Sequence, residues 1–461
     1  MSALPSASAT FDTVVVGGGA AGLVAARAEV LAGRSVALLD AADELGGALA
    51  RASVADVEVD VGAESFAVRG TAVSTLIRSL GLTQVEPSPE GAWLLRDGRA
   101  HPLPSAGVLG IPGFPLADDV RAIIGTRAAV RAYADRLIPE LTIGREHDLA
   151  RLVRRRMGVA VLDDLVRPVV ESVYGLRPED ADVDALLPGL NGALTATGSL
   201  SSAVLRLRSA APAGSAVAGV DGGIHLIARA LLADLQRFGV EVRPSSAVSS
   251  VDHAPGGWRI RTADDVIDAA RLVIATDGST ARSLLRPILG DAVGIESEWP
   301  AGRRSTTITL AVDGVDALDS APRGSGVLVA GAEDGSATAL THSSAKWPWL
   351  RDVLPPGRHL LRVSFRGEDE VPVDLAVQEA GRLLGVTIPA ASVVDAARTV
   401  WRQDAARATR GLPARLAALS SAVAATPALA ITGAWVAGTG LASVVAHAQS
   451  EVARLGAAPT D

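Results

Sequence analysis

Residues 11–22 read FDTVVVGGGAAG, and residues 36–40 read VALLD. In the first stretch an apolar run leads into a glycine-rich turn, and a helix-like segment, residues 23–31, follows it. The second stretch is another apolar run, and it ends in the carboxylate of Asp40. Strand, glycine turn, helix, strand and acid in this order are typical of a unit that binds a dinucleotide.

Each glycine of the turn has its own physical task in such a unit. Gly17 permits the tight turn, Gly19 lets the backbone approach a pyrophosphate, and Gly22 allows close packing of the helix on the strand. The start of the helix, at Ala20 and Ala21, presents free N–H groups and the positive end of the helix dipole to the diphosphate. The chain has 47 glycines, so the order of the elements argues against an ordinary turn more strongly than the glycines do.

Asp40 comes about 20 residues after the glycine turn, where a carboxylate can accept hydrogen bonds from an adenosine ribose. NAD and FAD both present such a ribose. A second glycine pair, Gly46 and Gly47, follows shortly after. Many FAD enzymes carry a pair of this kind near the pyrophosphate and the flavin, so it favours FAD, although in isolation it also fits a surface loop.

Composition limits the remaining classes. A chain of 461 residues allows about three domain-sized units. It has no cysteine, so disulfides and thiolate chemistry are excluded, and its 7 histidines have no HxxxH or HExxH spacing, so we predict no metal site. The net charge of −8 argues against nucleic acid as a partner, and an anionic substrate would need a local basic patch.

The sequence predicts neither a signal peptide nor a membrane span. Residues 1–10 lack a basic region and an apolar core. No charged residue lies between Arg415 and Glu451, but serine, proline and glycine interrupt that stretch before about 18 apolar residues accumulate. We therefore expect a cytoplasmic protein, which the absence of cysteine fits.

The first half of the chain changes pattern several times. Residues 91–104 alternate apolar and polar positions around Asp97 and Gly98, which predicts a hairpin. Residues 116–187 are helical in pattern, and the four arginines between 151 and 156 are expected on a solvated helix face. Residues 199–218 are low in complexity and predict a loop.

The second half alternates strands and helices. Helical patterns cover residues 224–238, 375–384 and 441–455. Strand patterns cover residues 240–243, 247–251, 258–261, 271–276, 304–313, 326–330, 337–342, 359–365 and 429–432.

This order predicts an α/β fold with a discontinuous Rossmann-like FAD-binding domain, a mixed-sheet substrate domain and a helical insert. We assign the FAD-binding domain to residues 1–75, 199–290 and 400–461, the substrate domain to 76–115 and 291–399, and the insert to 116–198.

Further motifs follow the glycine unit in a fixed order. They read DVGAESFAVR at 60–69, HPLP at 101–104, GIP at 110–112, RPVVESVYG at 167–175, VDGG at 220–223, SSAKWP at 343–348 and GAWVAGTGL at 433–441. Together they resemble the protoporphyrinogen/coproporphyrinogen oxidase family of FAD enzymes, within the monoamine-oxidase-like flavoprotein superfamily. The soluble coproporphyrinogen-oxidising branch of Gram-positive bacteria is the most similar.

The resemblance implies a haem-biosynthesis enzyme that aromatises a porphyrinogen. Removal of six electrons in successive two-electron hydride steps to a flavin would consume three O2 and release three H2O2. The flavin performs the redox step, so the sequence needs no strong protein base and shows none. Porphyrinogen and O2 are the implied partners, and other haem-pathway enzymes are candidates.

The resemblance also implies which residues contact FAD. The glycine turn and Asp40 would hold the ADP half, the segment from Gly62 would pass along the isoalloxazine, and the helix opened by Gly440 would stabilise charge on the reduced flavin. The expected contacts are Gly17, Gly19, Ala20, Ala21, Gly22, Asp40, Gly46, Gly47, Gly62, Ala63, Glu64, Ser65, Val248 (backbone at adenine), Trp401 (near the flavin), Gly438, Thr439, Gly440 and Leu441.

Arg69 and Lys346, the latter the one basic residue that is not arginine, are candidates to hold substrate carboxylates. A surface or ion-pair role remains open for both residues.

The chain also departs from the family pattern. After Trp401 the family has A-L-P-Q-Y-x-x-G-H, whereas residues 404–412 read DAARATRGL, Ser172 replaces a glycine, and Ala434 replaces an asparagine. Two other functions therefore remain open. One is a different flavin oxidase or desaturase that acts on an amine or polyene, and the other is a catalytically weak paralogue that carries FAD or porphyrin.

Overall fold

The structure is a computed structural model that describes residues 9–68, 70–138, 146–209, 217–294, 298–333, 335–367 and 370–457. The strands are β1 Ala9–Val16, β2 Val36–Leu39, β3 Arg51–Val54, β4 Val57–Asp60, β5 Phe66–Ala67, β6 Gln84–Val85, β7 Ala92–Arg96, β8 Arg99–Pro102, β9 Gly107–Val108, β10 Ile111–Pro112, β11 Val217–Val220, β12 Glu241–Arg243, β13 Val248–Ala254, β14 Gly257–Thr262, β15 Val266–Ile274, β16 Arg303–Asp313, β17 Gly326–Val329, β18 Ala337–His342, β19 Arg358–Arg366, β20 Val393–Gln403 and β21 Leu429–Ile431. The helices are α1 Ala20–Leu31, α2 Ala72–Ser79, α3 Asp118–Tyr133, α4 Leu149–Met157, α5 Val159–Val161, α6 Arg167–Tyr174, α7 Val183–Leu186, α8 Leu190–Thr197, α9 Leu200–Ser209, α10 Leu226–Arg237, α11 Gly278–Leu289, α12 Ser343–Lys346, α13 Pro348–Val353, α14 Val373–Leu384, α15 Leu412–Ala425, α16 Ala434–Ala437 and α17 Leu441–Ala457.

The first sheet carries the glycine unit. Its order is β12-β2-β1-β15-β14-β13, and β21 adds to β15. Strands β12, β2, β1, β15 and β21 are parallel, whereas β13 and β14 are antiparallel. Both faces of β1 are buried, which explains why residues 14–16 form an unbroken valine run rather than an alternating one.

Helices cover both faces of this sheet. Val15 and Leu38 face one core cluster with Leu23 of α1 and Val445 of α17. Alternate residues of the same strands face a second cluster with α11 and α15. The helix from the C-terminal segment therefore packs beside the helix from the N-terminal segment, in a three-layer arrangement.

The second sheet has the order β20-β16-β19-β18-β17-β7-β8. Its pairs are antiparallel except β17 with β7. Ile308 and Leu310 of β16 face a core formed with α14. Ala311, on the opposite face, packs with Val59, Val61 and Trp347, so that face is directed at the segment that follows β4.

Helices α3 to α9 form a layer of their own. Val153, Leu162, Val170 and Val204 belong to one apolar cluster, which Leu94 of the second sheet joins. No helix among the described residues is long and apolar enough to cross a membrane.

The predicted α/β class with mixed sheets is confirmed, and most predicted elements are present within a few residues. The predicted loop at residues 199–218 is wrong for residues 200–209, which form α9, whereas residues 210–216 lie outside the described residues. Leu200, Ala203 and Val204 are fully buried, a helical spacing that the serine-rich composition concealed.

The expectation of solvated arginines is wrong for Arg156. The residue is 3% exposed, and its Nε lies 2.5 Å from Oδ1 of Asp135. It also donates to the carbonyl of Gly198 at 2.5 Å. Arg151, Arg154 and Arg155 are exposed as expected. Helix α4 thus turns one arginine inward, where a buried acid balances the charge.

The predicted domain boundaries need two local changes. The boundary after residue 399 falls inside β20, and the boundary after residue 75 falls inside α2. A strand that is hydrogen-bonded to β16 along its length belongs with that sheet, so Trp401 is part of the second sheet. The division into domains otherwise stays a prediction.

Candidate functional site

The glycine turn forms an open cradle at the start of α1. Gly17 has φ +106°, and a Cβ there would lie 2.6 Å from the carbonyl oxygen of Ala275. A Cβ on Gly22 would overlap the carbonyl oxygen of Gly17. A Cβ on Gly19, in contrast, would meet nothing within 4 Å, and no side chain caps the helix. The start of α1 therefore has free space beside Gly19 and no capping side chain.

Asp40 lies against this turn. It accepts hydrogen bonds from the backbone N–H of Gly18 and, at 2.7 Å, from that of Ala42. A Cβ on Gly18 would lie 2.5 Å from Cδ2 of Leu45 and 3.0 Å from the Asp40 carboxylate, so the middle glycine also has a steric role. No role was predicted for Gly18 from the sequence. The close approach of the residues that follow β2 creates this role.

The second glycine pair lies directly beside the first. The N–H of Gly46 donates to the carbonyl of Gly18 at 2.9 Å, and Gly19 and Gly46 form a β-bridge. A Cβ on Gly47 would lie 3.2 Å from the Cα of Gly19. The pair is thus adjacent to the first glycine turn, and its proximity to a diphosphate stays a prediction.

A third segment continues the line. The N–H of Ala63 donates to the carbonyl of Ala48 at 2.8 Å, which brings residues 61–65 alongside the second glycine pair. A Cβ on Gly62 would overlap the Ala48 carbonyl and would lie 3.1 Å from Trp401. Gly62 thus permits three segments from distant parts of the sequence to meet.

Val248 lies near the end of the cradle that Asp40 forms. The N–H of Ser246 donates to the carbonyl of Asp40 at 2.6 Å, and the N–H of Ser245 donates to that of Ala42 at 2.8 Å. Val248 follows two residues later as the first residue of β13. Its backbone is therefore close to the point where an adenosine would follow a ribose held at Asp40.

The second sheet is fastened to the segment after β4. Arg362 donates to the carbonyls of Val61 and Gly62 at 3.0 and 2.9 Å, and the Trp401 indole donates to Val61 at 3.2 Å. Arg362 was not among the predicted site residues. The sequence feature that could have indicated it is a basic residue between the apolar residues of β19.

Glu64 is the centre of a buried charge cluster. Lys346 and Arg362 lie 3.2 and 3.5 Å from its carboxylate, and the Ser343 hydroxyl donates to it at 2.7 Å. Burial alone would raise the pKa of Glu64, but the two cations and the hydrogen bonds outweigh burial and lower it to about 2. The carboxylate is therefore ionised at any physiological pH, and we find no protonation role for it.

Lys346 is partnered rather than free. Besides Glu64, its ammonium lies 5.0 Å from the centre of the Trp347 ring. Its predicted role in substrate binding stays a prediction, and the ion pair supplies the alternative that the sequence left open. Arg69 lies outside the described residues.

The last predicted segment opens α17. Gly438 has φ +111°, and a Cβ on Gly440 would meet nothing within 4 Å. Leu441 begins the helix and shares a core cluster with Ala63, so this second open helix start lies on the same side as the segment after β4. Thr439 and Gly440 are exposed.

The stretch that departs from the predicted motif has packing contacts of its own. Asp404 accepts a hydrogen bond from the N–H of Gly278 at 2.7 Å, at the start of α11. The N–H of Arg410 donates to the carbonyl of Asp180 at 2.7 Å, and Thr409 forms a bridge with Ala181. Residues 404–412 therefore connect the first sheet with the helical layer.

The cradle fits a dinucleotide. The uncapped start of α1, three glycine segments in contact and an acid beside the first turn provide room for a diphosphate at one end and a ribose acceptor at the other. Among the described residues no group of three histidine, aspartate or glutamate side chains could hold a metal ion. Fold and site together fit the class of dinucleotide-binding proteins.

The comparison with protein families agrees. The profile of the family described as flavin-containing amine oxidoreductase matches residues 20–455. The chain belongs to this family, so its cofactor is a flavin. The family resemblance predicted from the motifs is confirmed.

Similar proteins extend over most of the chain. A coproporphyrinogen III oxidase of Mycobacterium tuberculosis is 28% identical over 452 residues, which cover 94% of this chain and 95% of the relative. A coproporphyrinogen III oxidase of Bacillus subtilis is 23% identical over 387 residues, or 79% of each protein.

Solved structures share the fold. A provisionally named protoporphyrinogen oxidase from Exiguobacterium sp. 255-15 matches with a TM-score of 0.81 and 23% identity, covering 97% of this chain and 98% of that one. Putrescine oxidase bound to putrescine matches with a TM-score of 0.64 and 16% identity, covering 97% and 99%. At these identities the likeness concerns the fold alone.

Proposed function

We propose that the protein is an FAD-dependent oxidase that converts coproporphyrinogen III to coproporphyrin III. Six electrons and six hydrogens leave the macrocycle, and three O2 become three H2O2. The observation that carries the proposal is the similarity, over 94% of this chain, to a relative named coproporphyrinogen III oxidase. The motifs of residues 60–69 and 343–348 support it, since both surround the Glu64 cluster.

When bound, the flavin supplies the redox chemistry, accepting a hydride from the substrate and returning two electrons to O2. The chain has the task of binding and orienting. The cradle of residues 17–22 and Asp40 would hold the ADP half, and the Gly62–Ser65 segment would lie along the redox end. Arg362 and Trp401 keep that segment against the second sheet. We expect the protein to act in the cytoplasm.

The test is aerobic turnover by the purified, flavin-loaded protein. We expect growth of porphyrin fluorescence from coproporphyrinogen III together with three H2O2 per porphyrin formed. A yellow protein with no turnover of coproporphyrinogen III or protoporphyrinogen IX would contradict the proposal and favour a carrier of FAD or porphyrin.

Oxidation of a primary amine is the second candidate. A putrescine oxidase of Kocuria rosea is 39% identical over 92 residues, although these cover only 20% of this chain. Anaerobic addition of putrescine separates the candidates, since bleaching of the flavin by the amine, with no response to porphyrinogen, would favour amine oxidation.

A further inference from the structure

The side of the second sheet that faces the flavin-binding segment is lined by hydroxyl groups. In β16 it carries Ser305, Thr307 and Thr309, because alternate residues of a strand point to the same side. The register places Ser364 of β19 and Thr399 of β20 opposite Thr307. Directly paired residues share a face, so these side chains form one polar floor.

Arginines mark the two ends of this floor. Arg362 pairs with Thr309 at the inner end, where it holds the Gly62 carbonyl. Arg366 pairs with Ser305 at the outer end, and Arg303 lies two residues beyond Ser305. At about 3.4 Å per residue, Arg303 lies roughly 7 Å along β16 from the point where Trp401 faces Ser305.

Arg303 differs from the other arginines of the floor because it has no bonded partner. Arg362 donates to two carbonyls, and Arg366 lies 2.6 Å from Glu171. Among the described residues, Arg303 has no hydrogen bond and no ion pair within 4.0 Å, although it is partly buried. Its nitrogens are not among the fully buried polar atoms that lack a partner, so the five N–H donors of the guanidinium can meet an acceptor from outside the chain.

The charges around Arg303 are mixed in sign. Burial is the largest cause that lowers the pKa of Arg303, and the positive charges of Arg366 and Arg177 lower it further, whereas Glu171 and Asp180 act in the opposite direction. Gly175, at the end of α6, lies beside it, since a Cβ there would be 3.9 Å from the Arg303 Cδ. The guanidinium therefore lies at the junction between the second sheet and the helical layer.

We infer that Arg303 binds a peripheral carboxylate of the substrate at the outer end of the floor and thereby selects a porphyrinogen with four carboxylates over one with two. The inference rests on the proposed function and extends it to substrate choice. Coproporphyrinogen III carries a propionate on each pyrrole, whereas protoporphyrinogen IX has vinyl groups on two of them. An arginine at the outer end gains a charge-assisted, bidentate partner only when a propionate lies there.

The test compares Arg303→Gln and Arg303→Lys with Arg402→Ala, a control on β20. Arg402 pairs with Arg304 on the other face of the sheet and is exposed. We expect Arg303→Gln to raise KM for coproporphyrinogen III about ten-fold or more with little change in kcat, and to leave protoporphyrinogen IX unaffected. Arg303→Lys keeps the positive charge but loses the bidentate geometry of the guanidinium. Its KM for coproporphyrinogen III should therefore lie between those of the wild type and Arg303→Gln.

A second measurement does not depend on turnover. Titration of the flavin-loaded protein with coproporphyrin III, followed by fluorescence quenching, should give a Kd about ten-fold higher for Arg303→Gln than for Arg402→Ala. Equal KM and Kd values for those two variants would overturn the inference while leaving the proposed function intact. A wild-type protein that neither oxidises nor binds any porphyrin would overturn both.

Discussion

Among single residues, Glu64 belongs to a local sequence motif, but residues far away in the sequence keep it ionised. Its partner Lys346 is 282 positions away in sequence. Arg362, Lys346 and Ser343 keep a carboxylate in the segment after β4 ionised, because burial of one charge requires the others. Glu64 thereby joins this segment to α12 and to the second sheet.

Glu64→Gln should destabilise the protein by up to about 3 kcal/mol, because two cations whose side chains are only 17% and 13% exposed lose their common counter-charge. Denaturant unfolding at pH 7.5 measures the free energy of unfolding. The control is Glu241→Gln, which removes an exposed ion pair with Arg243 and should cost at most about 1 kcal/mol. Equal costs for both variants would show that the cluster is solvated rather than buried.

His342 is a second buried group with a consequence for stability. It is 1% exposed, and its Nε2 lies 3.1 Å from Nδ1 of His359, whose other nitrogen lies 3.1 Å from Asp319. Burial, with smaller contributions from His359 and Arg351, lowers the pKa of His342 to about 3. The unfolded chain takes up this proton near pH 6.5, so native stability is full above that pH and is lost as the pH falls towards 3.

His342→Gln should therefore reduce the loss of unfolding free energy between pH 7.5 and pH 5 by up to about 2 kcal/mol, at 1.36 kcal/mol per pH unit. The readout is the difference between denaturation curves at the two pH values, which cancels any constant packing cost. His253→Gln, an exposed histidine on β13, serves as the control. The same pH slope in wild type and His342→Gln would contradict the assignment.

At the scale of elements, the turn and helix α1 contain two glycines that are needed for different reasons. Gly22 is needed for folding, since a Cβ would overlap the Gly17 carbonyl, whereas Gly19 has open space and φ −72°, which any residue can adopt. A diphosphate bound at the start of α1 would need the open space that lies beside Gly19.

Gly19→Ala should leave the free energy of unfolding within about 0.5 kcal/mol of wild type and weaken flavin binding at least about ten-fold. Gly22→Ala should lose both stability and flavin. Flavin fluorescence titration and denaturant unfolding give the two readouts. Gly192→Ala, within α8 and equally unobstructed, is the control and should change neither flavin affinity nor fold. Wild-type flavin affinity in Gly19→Ala would place the diphosphate elsewhere.

Elements could be predicted from sequence where their pattern was strong. The parallel core strands and the hairpin at residues 92–102 were found because valine runs and an Asp-Gly turn have local causes. Helix α9 and the long strand β20 were missed, because serine in one and charged residues in the other hid a one-sided burial. That burial is set by the neighbouring elements and not by the segment itself.

For the whole molecule, the first sheet depends on both ends of the chain. Strand β21 pairs in parallel with β15, and α17 packs beside α1 with Val444, Val445 and Ala448 in the shared core. These contacts can form only after nearly the whole chain has been synthesised. They join residues that are far apart in the sequence.

A chain that ends at residue 425 should therefore fail to fold cooperatively and to retain flavin, because β15 loses a partner and the α1 core is uncovered. Circular dichroism melts and flavin content after gel filtration measure this. Residues 426–461 co-expressed as a separate chain should restore both properties, which controls for a loss caused by expression. A cooperative melt with bound flavin in the truncated protein would contradict the prediction.

The sequence by itself determined the dinucleotide cradle, its acid and the α/β class, because each of these depends on residues close together in the chain. The tertiary structure alone decided that Gly18 is sterically constrained, that Lys346 is already paired, that Arg362 holds residues 61–62 and that Arg303 has no partner among the described residues. Such facts depend on which strands become neighbours. An arginine in a strand has the same sequence pattern whether it faces water, a carboxylate or a backbone carbonyl.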